Sequence, residues 1–125
     1  MKYKGWFDGS AKPNPGTMKI GGYIEDENGK VIEQFSLELG EGTNNRAEYL
    51  ALVHLTGLIR MLNIKDIDIK GDSNLVVQQI NEKWKCKDPY LKYFKDAILF
   101  SLREVNWNLT HVYREKNKEA DSLTR

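Results

Sequence analysis

Residues 45–62, NRAEYLALVHLTGLIRML, set Ala47, Leu50, Ala51, His54, Leu55, Leu58, Ile59 and Leu62 at intervals of three and four. That is the period of a long helix with one apolar face. The chain before it reads differently. Tyr3 to Asp8 has the composition of a strand ending at Asp8-Gly9-Ser10, and Lys12-Pro13-Asn14-Pro15-Gly16 reads as a loop. Ile20 to Ile24 and Val31 to Leu39 are two further extended runs, and Asn28-Gly29 between them favours a tight hairpin. Phe35, Leu37 and Leu39 alternate at strand period. Three strands in a meander therefore precede the long helix.

Beyond the helix, Ile67 and Ile69 alternate with Asp68 and Lys70 in a short strand, and Gly71-Asp72-Ser73-Asn74 leads into a shorter helix carrying Leu75, Val76, Gln79 and Ile80. Pro89 opens another helix, with Leu91, Phe94, Ile98 and Leu102 on one face. Val105, Trp107, Leu109 and Val112 mark a last strand, and Glu115-Lys116-Asn117 breaks into a terminal helix from Ala120 to Arg125. The order βββαβααβα predicts an α/β fold built on a five-stranded mixed sheet. Its meander of three antiparallel strands is joined by two parallel strands, reached through right-handed crossovers and flanked by helices.

A chain of 125 residues, 40% hydrophobic and 30% charged, suits one folded domain over 1–125 with a single core. The lone Cys86 rules out an intrachain disulfide and a zinc site with paired cysteines, so a reducing, cytoplasmic setting is expected. Met1 to Trp6 carries Lys2 and Lys4 without the apolar run of a signal peptide, and no stretch is long enough to span a bilayer. No membrane partner and no obligate protein partner are expected, and the chain reads as a monomer. A net charge of +1 says little about partners, but its distribution is uneven. Lys83, Lys85, Lys87, Lys92 and Lys95 interleave with Trp84, Tyr90, Tyr93 and Phe94. Such a patch suits phosphates and bases, although a solvated lysine face is the more frequent explanation of such a run.

Four acids stand at chain landmarks, and each has an ordinary structural explanation. Asp8 precedes Gly9 and so fits a turn, although a glycine there also permits close approach of backbone or substrate. Glu48 lies three residues after Asn45, the spacing of a capping box. Asp72 fits a helix cap, yet it also ends a strand at the edge where open α/β sheets place their sites. Asp121 fits a solvated first-turn carboxylate. Taken together, four carboxylates without a His or Cys cluster are the ligand type that magnesium prefers.

Phe7-Asp8-Gly9-Ser10 with Asn14-Pro15-Gly16, Thr43-Asn44-Asn45-Arg46-Ala47-Glu48, Gly71-Asp72-Ser73, and Arg114-Glu115-Lys116-Asn117-Lys118-Glu119-Ala120-Asp121 resemble ribonuclease H of type 1. The four motifs run in the family's order over nearly the whole chain. The resemblance implies the ribonuclease H-like fold. It also implies that Asp8, Glu48, Asp72 and Asp121 bind two divalent ions, Mg2+ by preference with Mn2+ as a substitute. Two ions about 3.5 to 4 Å apart can clamp a scissile phosphate for in-line displacement. The implied substrate is the RNA strand of an RNA/DNA hybrid, cut internally to leave 5′-phosphate and 3′-hydroxyl ends. Gly9, Ser10, Asn14, Asn44, Asn45 and Asn74 are the positions expected to read 2′-hydroxyls in the minor groove. Thr43 and Asn44 are expected to hold a DNA-strand phosphate, with Trp84 in support. Arg114 is expected on a phosphate, and Asn117 completes the substrate-binding set.

The chain departs from the family pattern in three places. The passage from Lys83 to Tyr90 is too short for the long basic insertion of some relatives, which predicts weaker, more salt-sensitive grip on the hybrid. The loop after the last strand has no histidine: His54 lies on the apolar helix face, His111 lies within the last strand, and Arg114 takes the loop position. The short terminal helix predicts a loose Asp121. Two competing functions follow: a catalytically weak or inactive nucleic-acid-binding paralogue, and a metal nuclease acting on DNA. The Thr43 to Glu48 segment speaks against the latter.

Overall fold

Alternating apolar residues in the N-terminal third build three long antiparallel strands, β1 (Tyr3–Lys12), β2 (Gly16–Glu25) and β3 (Val31–Gly42). In the computed structural model, which describes residues 2–124, they are followed by α1 (Asn44–Met61), β4 (Asp66–Gly71), α2 (Asn74–Ile80) and α3 (Pro89–Ser101). Then come β5 (Asn106–His111), one 3-10 turn at Arg114–Lys116, and α4 (Lys118–Ser122). The sheet order is β3-β2-β1-β4-β5, with β1–β4 and β4–β5 parallel. Element order and the five-stranded mixed sheet match the sequence reading.

Element ends differ, each for a local reason. β1 does not stop at Asp8 but stays paired with β2 as far as Lys12↔Thr17. Ala11 and Met18 there bury against Ala47 in a small second core. What stops is the pairing with β4, whose last step is Phe7↔Gly71. The Asn28-Gly29 hairpin is not a two-residue turn. The Asp26 carboxylate accepts from the Asn28 and Lys30 amides, Gly29 N–H donates to Asp26 O, and only Gly29 takes positive φ, at 84°. An aspartate able to cap its own loop draws the turn back by two residues. α4 starts two residues earlier than expected, at Lys118 and not Ala120. Arg125, to which the predicted terminal helix extended, lies outside the described residues.

α1 lies across β1 and β2 and also against α3, so it is buried on two sides. Tyr49, Leu52 and Thr56 are buried beside the expected Ala47, Ala51, Leu55 and Ile59, while Leu62 is exposed at the helix end. Phe7, Ile24, Ile67, Ile69, Val76, Ile80 and Ile98 complete the main core. Burying each such side chain stabilises the fold by about 1.5–3 kcal/mol. His54 packs as expected, its ring 4.4 Å from Phe35, and burial lowers its pKa. The buried Tyr49 hydroxyl donates to Gln79 Oε1 at 2.6 Å, and Gln79 Nε2 donates to Lys85 O at 3.0 Å. These bonds fix α2, and the exposed Lys83-Trp84-Lys85 turn after it, to the core helix. Among the described residues, no helix is long and apolar enough to cross a membrane.

Candidate active site

Where β4 leaves it, β1 keeps pairing with β2 on one side only. The N–H groups of Gly9 and Ala11 on its other side need acceptors, because an unpaired buried amide is costly. The first two turns of α1 supply them: Glu48 Oε1 accepts from Gly9 N–H at 2.8 Å and Asn44 Oδ1 from Ala11 N–H at 2.7 Å. The helix comes this close only because residue 9 is glycine. A Cβ there would lie 2.3 Å from Ala47 C and O. The expected capping box is therefore absent: Thr43, not Asn45, caps α1 by accepting from Arg46 N–H at 3.2 Å, and Glu48 serves the strand.

Asp72 follows Gly71, the residue paired with Phe7, so Asp8 and Asp72 are the next positions on the two strands. Its cap role passes to Ser73, whose Oγ accepts from Val76 N–H at 3.4 Å. Asp8, Glu48 and Asp72 each offer one carboxylate oxygen within 4.8 Å of the others. Burial raises the Asp8 pKa to about 7, helped by the charges of Asp72 and Asp121, while a hydrogen bond from Thr124 pulls the other way. Burial also pushes Glu48 up, with Asp8 and Asp72 adding to it and the Gly9 amide opposing. Clustered acids that resist losing their protons are a site short of positive charge. Asp72 Oδ2 is in addition buried without a hydrogen-bond partner. Hard oxygen donors, mutual repulsion and an orphaned oxygen fit a divalent cation such as magnesium.

Asp121 is not part of that three-carboxylate group, but it approaches Asp8 closely enough to share a side-chain hydrogen bond with it. The short α4 is tied down at both ends. Asn117 Nδ2 donates to Phe7 O at 3.1 Å, and Thr124 Oγ1 lies 3.1 Å from Asp8 Oδ2. Asn117, expected to touch substrate, is 1% exposed. It joins the loop before α4 to β1 and does not project from the surface.

The remaining substrate positions divide between two clefts and the open surface. Asn14, Thr43, Asn44 and Asn45 line one cleft of about 530 Å³, together with Pro15, Arg46, Asp88 and Leu91. Asn14 Oδ1 there accepts from Asn44 N–H at 3.1 Å. Arg114 lines another, of about 500 Å³, with Glu115, Lys118, Asp121 and Ser122. Ser10 is half-buried in β1 and Asn74 is exposed at the start of α2, its Oδ1 accepting from Gln78 Nε2 at 3.1 Å. Trp84 is exposed between Lys83 and Lys85. His111 Nε2 lies 3.2 Å from the Asp72 carbonyl. Two site neighbours escaped the sequence reading: Arg46, stacked 4.2 Å over the Tyr90 ring, and Thr124. Arg46 sits inside a quoted motif and could have been found there, whereas nothing local links Thr124 to a residue 116 positions away.

Residues 6–125 match the family model described as reverse transcriptase-like. Ribonuclease HI of Halobacterium salinarum is 33% identical over an alignment of 119 residues that covers 94% of this chain. The chain spans 60% of the length of that curated relative. The crystal structure of RNase H1 from the same archaeon superposes with a TM-score of 0.93 at 31% identity, covering 98% of this chain and 94% of that one. LC11-RNase H1, solved in complex with an RNA/DNA hybrid, gives 0.90 at 35% identity, covering 97% and 92%. The chain belongs to the reverse transcriptase-like family, and its likeness to the RNase H1 structures places it among the type 1 ribonucleases H.

Proposed function

We propose that the chain is a metal-dependent endoribonuclease that hydrolyses the RNA strand of RNA/DNA hybrids and leaves 5′-phosphate and 3′-hydroxyl ends. The observation that carries this reading is the convergence of Asp8, Glu48 and Asp72 within 4.8 Å where β1 and β4 part. The kinship with a ribonuclease HI and with a structure holding a hybrid supports the substrate class. Asp8, Glu48, Asp72 and Asp121 would hold two magnesium or manganese ions. Such ions supply charge neutralisation at the scissile phosphate and activation of the attacking water.

The chain's own groups do the positioning. Glu48 is held by Gly9 N–H, so the carboxylate from α1 and the one from β1 keep a fixed separation. The cleft of Asn14, Thr43, Asn44 and Asn45 offers amide and hydroxyl groups suited to 2′-hydroxyls and to a DNA phosphate. Arg114 beside Asp121 supplies a fixed positive charge for an RNA phosphate, and cannot act as a base. Trp84 with Lys83 and Lys85 extends the contact along the duplex.

End-labelled RNA/DNA hybrid, double-stranded RNA, single-stranded RNA and double-stranded DNA, each incubated with magnesium or manganese beside an Asp8→Asn control, test the reading. Cleavage confined to the hybrid and lost in the variant is expected. Wild-type protein that binds the hybrid without cutting it would sink the proposal in favour of a binding paralogue, and cutting of DNA in favour of a DNA nuclease.

A further inference from the structure

Leu123 and Thr124 follow α4 and belong to none of the expected site sets. Leu123 lies over Gly21, where an added Cβ would meet Leu123 Cβ at 2.6 Å, and the Ser36 hydroxyl of β3 donates to the Leu123 carbonyl. Gly21 is the β2 partner of Asp8, so the chain is anchored directly across from that carboxylate. The anchor buries Thr124 to 4% exposure, with Oγ1 3.1 Å from Asp8 Oδ2 and 2.8 Å from Asp121 O. Thr124 N–H already donates to Asp121 O at 3.0 Å. The hydroxyl has one proton, and the carboxylate is the stronger acceptor for it.

We propose that Thr124 is a positioning residue for Asp8. Its hydrogen bond to Oδ2 fixes the plane of the carboxylate, and with it the direction of the other oxygen. The same side chain holds the end of α4, so Asp121 stays beside Asp8. This inference rests on the reading of the carboxylates as a cation site and adds to it a residue that is not itself a ligand.

Thr124→Val removes the hydroxyl at nearly constant volume, and Thr124→Ser keeps it. Magnesium is titrated into each protein without nucleic acid, with melting temperature as the readout, and kcat and KM are then measured on the hybrid. Thr124→Val should need about tenfold more magnesium for the same rise in melting temperature, the size expected for losing one hydrogen bond to a charged group. Its kcat should fall with KM for the hybrid unchanged, and Thr124→Ser should restore both readouts. Wild-type magnesium dependence in Thr124→Val overturns the proposal, as does a serine variant no better than valine. Absence of cleavage by the wild type would remove the nuclease reading alone, because the titration without nucleic acid still decides the role of Thr124.

Discussion

Replacing Asp8 with asparagine should make the metal-free protein more stable while removing its activity. Asp8 is 3% exposed, and its pKa rises from 3.8 to about 7. An acid with a raised pKa keeps its proton in the folded chain between about pH 4 and 7, where the unfolded chain has released it. The folded state therefore binds more protons in that window, and stability falls as pH rises through it. At 1.36 kcal/mol per pH unit, ionised Asp8 costs the wild type up to about 4 kcal/mol at pH 8. Asparagine removes that charge, relieves Glu48, and leaves an oxygen able to accept from Thr124. In EDTA, urea unfolding should show Asp8→Asn more stable than wild type by about 2–4 kcal/mol at pH 8, with the gap closing towards pH 4. A variant no more stable than wild type at pH 8, or a gap that widens on acidification, would refute the account of a site strained by its own charge.

Magnesium should relieve the same strain: at concentrations well above its dissociation constant the wild-type melting temperature should rise by several degrees, and a calorimetric scan of Asp8→Asn should show little change. Gly9→Ala should destabilise the fold by about 2–3 kcal/mol in urea unfolding, since the new methyl meets the α1 backbone and not a side chain that can move. Tyr49→Phe strands Gln79 Oε1 in the core and should cost about 1–3 kcal/mol by the same measurement. If the chain grips a hybrid as proposed, without a long basic insertion between Lys83 and Tyr90, the Michaelis constant should climb steeply with salt; insensitivity over a severalfold range of ionic strength would count against it.

Much of this architecture is legible in the sequence because periodicity is a local property. The spacing of Ala47, Leu55 and Ile59 and the alternation of Ile67 and Ile69 each report a face that one neighbouring element buries. Tyr49 is not legible in this way, because the partner of its buried hydroxyl, Gln79, enters the chain thirty residues later in α2. The end of β1 and the absence of a capping box at Glu48 are hidden from the sequence for a related reason. A capping box is judged from four consecutive residues, whereas the acceptor that Gly9 needs is visible only once β4 is known to leave at Phe7. The three clustered carboxylates were recognisable through their flanking motifs. Thr124 was not, since its partner is nearly the whole chain away.

The last paired step of β1 and β4, Phe7↔Gly71, has a consequence for accuracy of assembly. A slip of β4 by one residue would turn its side chains to the opposite faces, setting Asp68 and Lys70 among the buried apolar groups in place of Ile67 and Ile69. It would also bring the wrong residue beside Asp8. The same error is thus penalised by the core before it can reach the carboxylates. Hydrophobic packing acts as the proofreader of an acidic site that, left to its own repulsion, would favour separation over alignment.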